Sequence, residues 1–181
     1  MHDENLPADF RARIAAIHRE LDIPGDYAQR FVLRLRPEAD SLASIGEDVF
    51  GRTQQLAPRA AEHWQAMRTQ AQQDDIMLLV VSGFRSVAYQ QDLIARKLAA
   101  GKPIEEILKV NAAPGYSEHH SGCALDLTTA GYAPLETGFE TTAAFNWLVQ
   151  HADRFGFRLS YPRGNRHGIA YEPWHWACLD D

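Results

Sequence analysis

Two separated runs, Ser117-Glu118-His119-His120-Ser121-Gly122-Cys123-Ala124-Leu125-Asp126 and Glu172-Pro173-Trp174-His175, constrain this chain more than any other feature. Each concentrates groups that bind divalent cations, and neither completes a site alone, so the fold must bring them together. Imidazole nitrogens and carboxylate oxygens are common zinc ligands, and a catalytic zinc keeps three protein ligands with one position open. His119, Asp126 and His175 supply such a set for one zinc ion. Glu172, close to a ligand in sequence, is available to take a proton.

The spacing makes a geometric demand. On a continuous strand, residues an odd number of positions apart face opposite sides. His119 lies seven positions before Asp126, so the chain must bend near Ser121-Gly122 for both to reach one cation. Pro173 breaks the second run in the same way and lets Glu172 and His175 face one cleft. His120 remains an alternative ligand on the residues alone, one register step from His119.

The pattern Ser117-x-His119-x-x-Gly122-x-Ala124-x-Asp126, followed by Glu172-x-Trp174-His175, resembles the signature of the zinc D-alanyl carboxypeptidases and dipeptidases that act on bacterial cell-wall stem peptides, including the vancomycin-resistance enzymes. Ser82-Gly83-Phe84-Arg85-Ser86, with Gln90 after it, is similar to a third segment of that family, whose arginine and glutamine line the substrate cleft. The resemblance runs in order from Gly51 to Trp176. It implies an α+β fold, with a small antiparallel sheet flanked by helices, of the LAS or hedgehog-like zinc peptidase type. It also selects His119 over His120 as ligand and leaves His120 as cleft wall or as a support behind the ligands. It implies Glu172 and Arg85 as catalytic groups, and Ser117, Gln90, Ser86, Phe84 and Trp174 as substrate contacts. Two departures bear on substrate preference: Phe84 stands where tyrosine is frequent, and Ala177 follows Trp176 where many relatives have arginine.

With 181 residues the chain fits one domain, here read as a core over residues 51–181 with a helical extension over residues 1–50. A net charge of −6 argues against nucleic acid or an anionic membrane surface as partner. No apolar run reaches the 18 or more residues that a membrane span needs. Cys123 and Cys178 are too few for a disulfide framework and match no cysteine zinc motif. The opening Met1-His2-Asp3-Glu4-Asn5 has neither a basic nor an apolar export region, so the expectation is a cytoplasmic protein. Oligomeric state is not legible.

Phe10, Ile14, Ile17 and Leu21 recur at helical spacing, and Pro24-Gly25 closes that helix. Between Asp26 and Arg52, Phe31, Leu33 and Leu35 alternate like a strand, whereas Leu42, Ile45 and Val49 repeat like a helix. Leu56, Ala60, Trp64, Met67 and Ala71 mark a firmer helix. Ile76 to Val81 is apolar on both faces and reads as a central strand delivering Arg85. Ser86 caps a helix carrying Val87, Ile94 and Leu98, which ends at Gly101; Pro103 opens a short helix through Val110. Gly122 to Leu127 is a strand. Thr142 caps a helix with Phe145, Leu148, Val149, Ala152 and Phe155 inward, and strands follow at Phe157 to Ser160 and Ile169 to Trp174.

Bland readings stand beside the chemical ones. Taken alone, Asp126 is a strand-end residue, Arg85 a solvated arginine, Ser117 a turn residue and His167 a solvent-facing turn histidine. Trp174 and Trp176 read as packing, with Trp174 placed to orient His175. The resemblance implies release of C-terminal D-alanine from a peptidoglycan-derived peptide. L,D-cleavage of tetrapeptides in muropeptide recycling is favoured by the cytoplasmic expectation, ahead of D,D-cleavage of pentapeptides, a D-alanyl-D-alanine dipeptidase and a wall-lytic endopeptidase. A zinc-stabilised binding module is the non-enzymatic alternative.

Overall fold

A four-stranded antiparallel sheet carries the site in the computed structural model, which describes residues 6–179. The elements run α1 (Ala8–Glu20), α2 (Tyr27–Arg30), β1 (Ala43–Glu47), β2 (Thr53–Leu56), α3 (Pro58–Gln73), β3 (Leu79–Ser82), α4 (Val87–Ala99), α5 (Ile104–Ile107), β4 (Ala124–Thr128), α6 (Ala143–His151), β5 (Phe157–Leu159) and β6 (His175–Cys178). The sheet order is β3-β4-β6-β5, and β1 and β2 form a separate antiparallel pair. The opening Met1–Asn5, on which the localisation expectation rests, lies outside the described residues. No helix among the described residues is long and apolar enough to cross a membrane.

β4 is buried along its whole length, and its side-chain alternation decides which face does what. Leu125 and Leu127 point into a core built with Trp64 and Met67 of α3, Leu148 of α6, Phe157 and Trp176. Fully burying an aliphatic or aromatic side chain is worth about 1.5–3 kcal/mol, so that layer fixes the sheet on α3. Asp126 is thereby turned to the opposite face. A second core, from Ile14, Ile17 and Leu21 of α1 with Tyr27, Val87, Ile94 and Ile107, seats α1 against α4 and α5. Both helix caps read from the sequence are present: Ser86 Oγ accepts from Tyr89 N–H at 3.0 Å and Thr142 Oγ1 from Phe145 N–H at 3.1 Å.

Five expectations are corrected. The helix expected around Leu42, Ile45 and Val49 is strand β1, paired with β2 through the turn that Asp48 organises. The strand expected over Phe31 to Leu35 is irregular chain after α2. The strand ending in Ser82 lies at the edge of the sheet rather than its centre. That edge is covered, because Val49 N–H donates to Val80 O at 3.0 Å and Phe84 N–H to Gln55 O at 2.8 Å, which protects an otherwise open ladder. Finally, Ile169 to Trp174 is not a strand; β6 starts only after the Pro173 turn, at His175. Val149, expected inward on α6, is exposed, and Trp147 takes the buried position.

Candidate metal centre

Sheet register places two of the three sequence-predicted ligands. Asp126 of β4 stands opposite His175 of β6, and antiparallel partners project to the same face. His175 Nδ1 lies 3.0 Å from Asp126 Oδ1. His119 comes from a single 3-10 turn, Glu118–Ser121, that ends at Gly122. Gly122 has φ +69 and ψ 16, the left-handed conformation glycine adopts without a Cβ penalty. This is the bend that the seven-residue spacing demanded. His119 Nε2 reaches 3.3 Å from Asp126 Oδ2. One ligand atom from each of His119, Asp126 and His175 lies within 4.8 Å of the others, and all three residues are buried.

The hydrogen bonds around these rings fit a cation. His119 Nδ1 sits 2.6 Å from Gly83 O, which accepts a hydrogen bond from Nδ1–H and leaves Nε2 as the lone-pair nitrogen; Nε2 is buried with no hydrogen-bond partner. Burial, with the Arg85 charge beside it, brings the His119 pKa down to about 4, so the ring is neutral, as a ligand must be. His175 is held from its other side by Glu118, whose Oε2 lies 2.9 Å from Nε2. A metal-binding histidine typically donates its second ring N–H to a carboxylate or carbonyl in this way. Without a cation, His175 itself must answer two buried carboxylates: burial opposes its charge, but the bonds to Asp126 and Glu118 outweigh it and raise its pKa to about 10. Two histidines and a carboxylate form a donor set suited to zinc.

A cleft of about 270 Å³ opens over these ligands. Glu172 and Arg85 line it, as do Ser117, Gln90 and Trp174 among the expected substrate contacts. Burial raises the Glu172 carboxyl to about 7; Asp126 and Glu118 push the same way, against His175 and Arg85. Arg85 Nη2 lies 3.9 Å from Asp126 Oδ2, and its Nε is buried without a partner. The Arg85 backbone is clamped, its N–H donating to His119 O at 3.2 Å and its carbonyl 2.6 Å from His120 Nδ1. Gln90 donates from Nε2 to Ala112 O at 2.8 Å, while its buried Oε1 has no partner.

The remaining sequence-predicted residues lie elsewhere. Ser86 and Phe84 are not among the cleft lining: Ser86 spends its hydroxyl on the α4 cap, and Phe84 N–H ties the loop to Gln55. Of the two readings of His120, the supporting one fits: it is fully buried and braces Arg85, and its Nε2 also accepts from Gly115 N–H at 3.1 Å. His167 is half-buried, its ring 6.2 Å from Tyr161, not a solvent-facing turn histidine. Trp176, not Trp174, braces the Pro173 turn, its Nε1 donating to Pro173 O at 3.0 Å.

Two residues escaped the sequence reading. Glu118 is one, read only as a variable position although it sits next to a ligand. Tyr161 is the other: its buried ring lies 4.7 Å from that of His175, and its carbonyl accepts from Glu172 N–H at 3.1 Å, fixing the turn that carries Glu172.

A buried His-Asp-His corner on a small antiparallel sheet, with a glutamate and an arginine lining the cleft above it, is a site able to hold one metal ion beside a group that can carry a proton. The family described as VanY, D-alanyl-D-alanine carboxypeptidase, matches residues 53–180, and the chain belongs to it. A D-alanyl-D-alanine carboxypeptidase of Enterococcus faecalis is 30% identical over 131 residues, which cover 67% of this chain and 47% of that protein. The chain thus spans about half the length of the curated relatives it matches. Among solved structures, the LD-carboxypeptidase LdcB superposes with a TM-score of 0.71 at 28% identity, covering 78% of this chain and 69% of LdcB. The vancomycin-resistance D,D-pentapeptidase VanY, solved with Zn(II), gives 0.60 at 26% identity, covering 83% of this chain and 88% of that one.

Proposed function

We propose that this chain is a zinc-dependent carboxypeptidase that releases C-terminal D-alanine from peptidoglycan stem peptides. The observation that carries the reading is the buried His119-Asp126-His175 cluster opening into the cleft that Glu172 and Arg85 line. When bound, zinc supplies Lewis acidity and makes water a stronger acid. Glu172 takes the proton of the attacking water and hands it to the leaving amine; its carboxyl, raised to about 7 by burial, suits both halves of that transfer. Arg85 faces the negative charge that develops on the scissile carbonyl oxygen, a contribution worth on the order of a hundred- to a thousandfold in rate. Gln90 presents Oε1 as an acceptor for a substrate N–H.

L,D-cleavage of a tetrapeptide is the preferred form of the activity, in keeping with the likeness to the LD-carboxypeptidase LdcB. D,D-cleavage of pentapeptides, supported by the family match, is the second reading. Action on recycled muropeptides in the cytoplasm belongs to the same proposal and is tested by cell fractionation. The decisive experiment incubates the protein with muropeptide tri-, tetra- and pentapeptides, with and without a chelator, scored by mass. Free D-alanine from tetrapeptide supports L,D-cleavage, and from pentapeptide alone the D,D form. Release from neither would leave a zinc-stabilised binding module. Glu172→Ala is expected to keep stoichiometric zinc and lose about a hundred- to ten-thousandfold in turnover; loss of zinc instead would show that Glu172 is misassigned.

A further inference from the structure

The cleft has a second cationic side chain besides Arg85. Lys97 lies on α4, half-buried, and lines the same cavity as Gln90 and Arg85. Its ammonium donates to Asn111 Oδ1, a neutral partner that also lines the cleft. Among the described residues Lys97 makes no ion pair, whereas Arg85 stands 3.9 Å from Asp126. An ammonium drawn into a cleft loses hydration, and a neutral amide restores a hydrogen bond without balancing the charge. A lysine serving only as a solvated surface charge would extend into water on its flexible stem; this one is turned inward and held.

We propose that Lys97 is a specificity-determining residue that pairs with a carboxylate of the peptide substrate, an inference that rests on the carboxypeptidase reading above. The carboxylate it meets is carried on a side chain upstream of the scissile bond. Lys97 follows Gln90 by seven residues on α4, about 10 Å along the helix axis. Ser86, next to Arg85, caps the start of that helix, so Lys97 sits further along it from the metal corner than Gln90 does, even with its side chain leaning back toward the helix N-terminus. An extended peptide advances about 3.3 Å per residue, so a group meeting Lys97 belongs to a position removed from the cut bond or to a long side chain beside it. Burial first, and then Lys102 and Arg85, lowers the Lys97 pKa, with Glu172, which lines the same cleft, opposing them.

The test uses D-alanine-terminated peptides whose residue before the scissile bond is 2-aminopimelate, norleucine or lysine, giving a side-chain carboxylate, no charge or an ammonium. Turnover is measured for the wild type, Lys97→Met and Lys97→Glu, and peptide binding by calorimetry in a Glu172→Gln background. The wild type is expected to favour the carboxylate peptide by roughly tenfold to a hundredfold over norleucine and to disfavour lysine. Lys97→Met should erase that preference, the loss falling mainly on KM, and Lys97→Glu should shift it toward lysine. A fourth peptide, amidated at its terminus, identifies the source. If Lys97→Met weakens all three acid-terminated peptides equally and spares the amide, Lys97 reads the chain end and the side-chain assignment is overturned. No charge ranking in the wild type, or the same ranking in Lys97→Met with unchanged melting temperature, overturns the pairing itself. Because binding is read without turnover, absence of cleavage would sink the carboxypeptidase reading while the calorimetric ranking still decides Lys97.

Discussion

Removing Glu118 tests whether the metal corner depends on residues that never touch the metal. Its carboxylate is 8% exposed and bridges two partners, His175 Nε2 at 2.9 Å and Arg36 Nη2 at 3.3 Å. Burial opposes its ionisation, but the bond from His175, that ring's charge and Arg36 bring its pKa down to about 2, so it is an anion at neutral pH. Glu118→Ala removes the group that fixes which nitrogen of His175 is free. Partners of this kind are worth about tenfold to a hundredfold in metal affinity, or about 1.4–2.7 kcal/mol. The substitution also deprives the buried Arg36 of this carboxylate; breaking a buried pair costs about 3–5 kcal/mol, with the lower end expected because Arg36 keeps other interactions. Glu118→Gln retains an oxygen that can accept from His175, so its zinc loss should be several-fold smaller. Competition with a chromophoric chelator gives the affinities, and thermal melts separate folding from binding. Zinc affinity within twofold of wild type in folded Glu118→Ala would refute the argument.

Gly122→Ala should cost at least about 2 kcal/mol. The left-handed conformation alone costs an alanine about 1–2 kcal/mol, and a Cβ there would stand 2.7 Å from Ala57 N. At about 2–4 °C per kcal/mol for a chain of this size, scanning calorimetry should show a fall of several degrees, whereas Gly138→Ala, with nothing within 4 Å, should stay near wild type. Asp48 carries an acid-dependent stability. Burial disfavours its charge, but N–H groups of Arg52 and Phe50 and the side chains of Arg52 and Gln54 outweigh it, so its folded pKa is depressed. That stability is present above the unfolded carboxylate pKa near 4 and is lost as pH falls through the lower folded value. Asp48→Asn should therefore cost on the order of 1 kcal/mol at neutral pH, with the gap to wild type closing in denaturant titrations below pH 4.

The Gly122 bend and both the serine and the threonine cap were legible because each is written in a few neighbouring residues, and the clustering of His119, Asp126 and His175 was legible from two short runs. The helices α1 and α3 were legible because one face of each is buried, and periodicity records that. β1 was misread because Leu42, Ile45 and Val49 fall at helical intervals on a half-exposed hairpin whose pairing partner, not its own pattern, makes it a strand. The stretch before His175 has strand-like composition, but Pro173 and the bond from His175 N–H to Glu172 O turn it instead. Glu118 and Tyr161 were invisible for a different reason. Nothing local marks a glutamate as buried, or a tyrosine 35 residues after the first run and 14 before His175 as lying beside that imidazole; only the assembled sheet brings them there. Ser86 and Phe84 were carried by resemblance, and their local jobs, capping a helix and tying a loop, account for them.

Because Asp126 and His175 are opposed across the β4–β6 ladder, the cation cage is laid down by the alignment of two strands more than by any one side chain. Inserting or deleting a single residue within either strand would swing its ligand to the far side of the sheet and drive leucine or tryptophan into the cleft. Length changes in these few positions should therefore be far less tolerated than conservative replacements, while the turn over residues 162–165, outside the ladder, is free to vary in size.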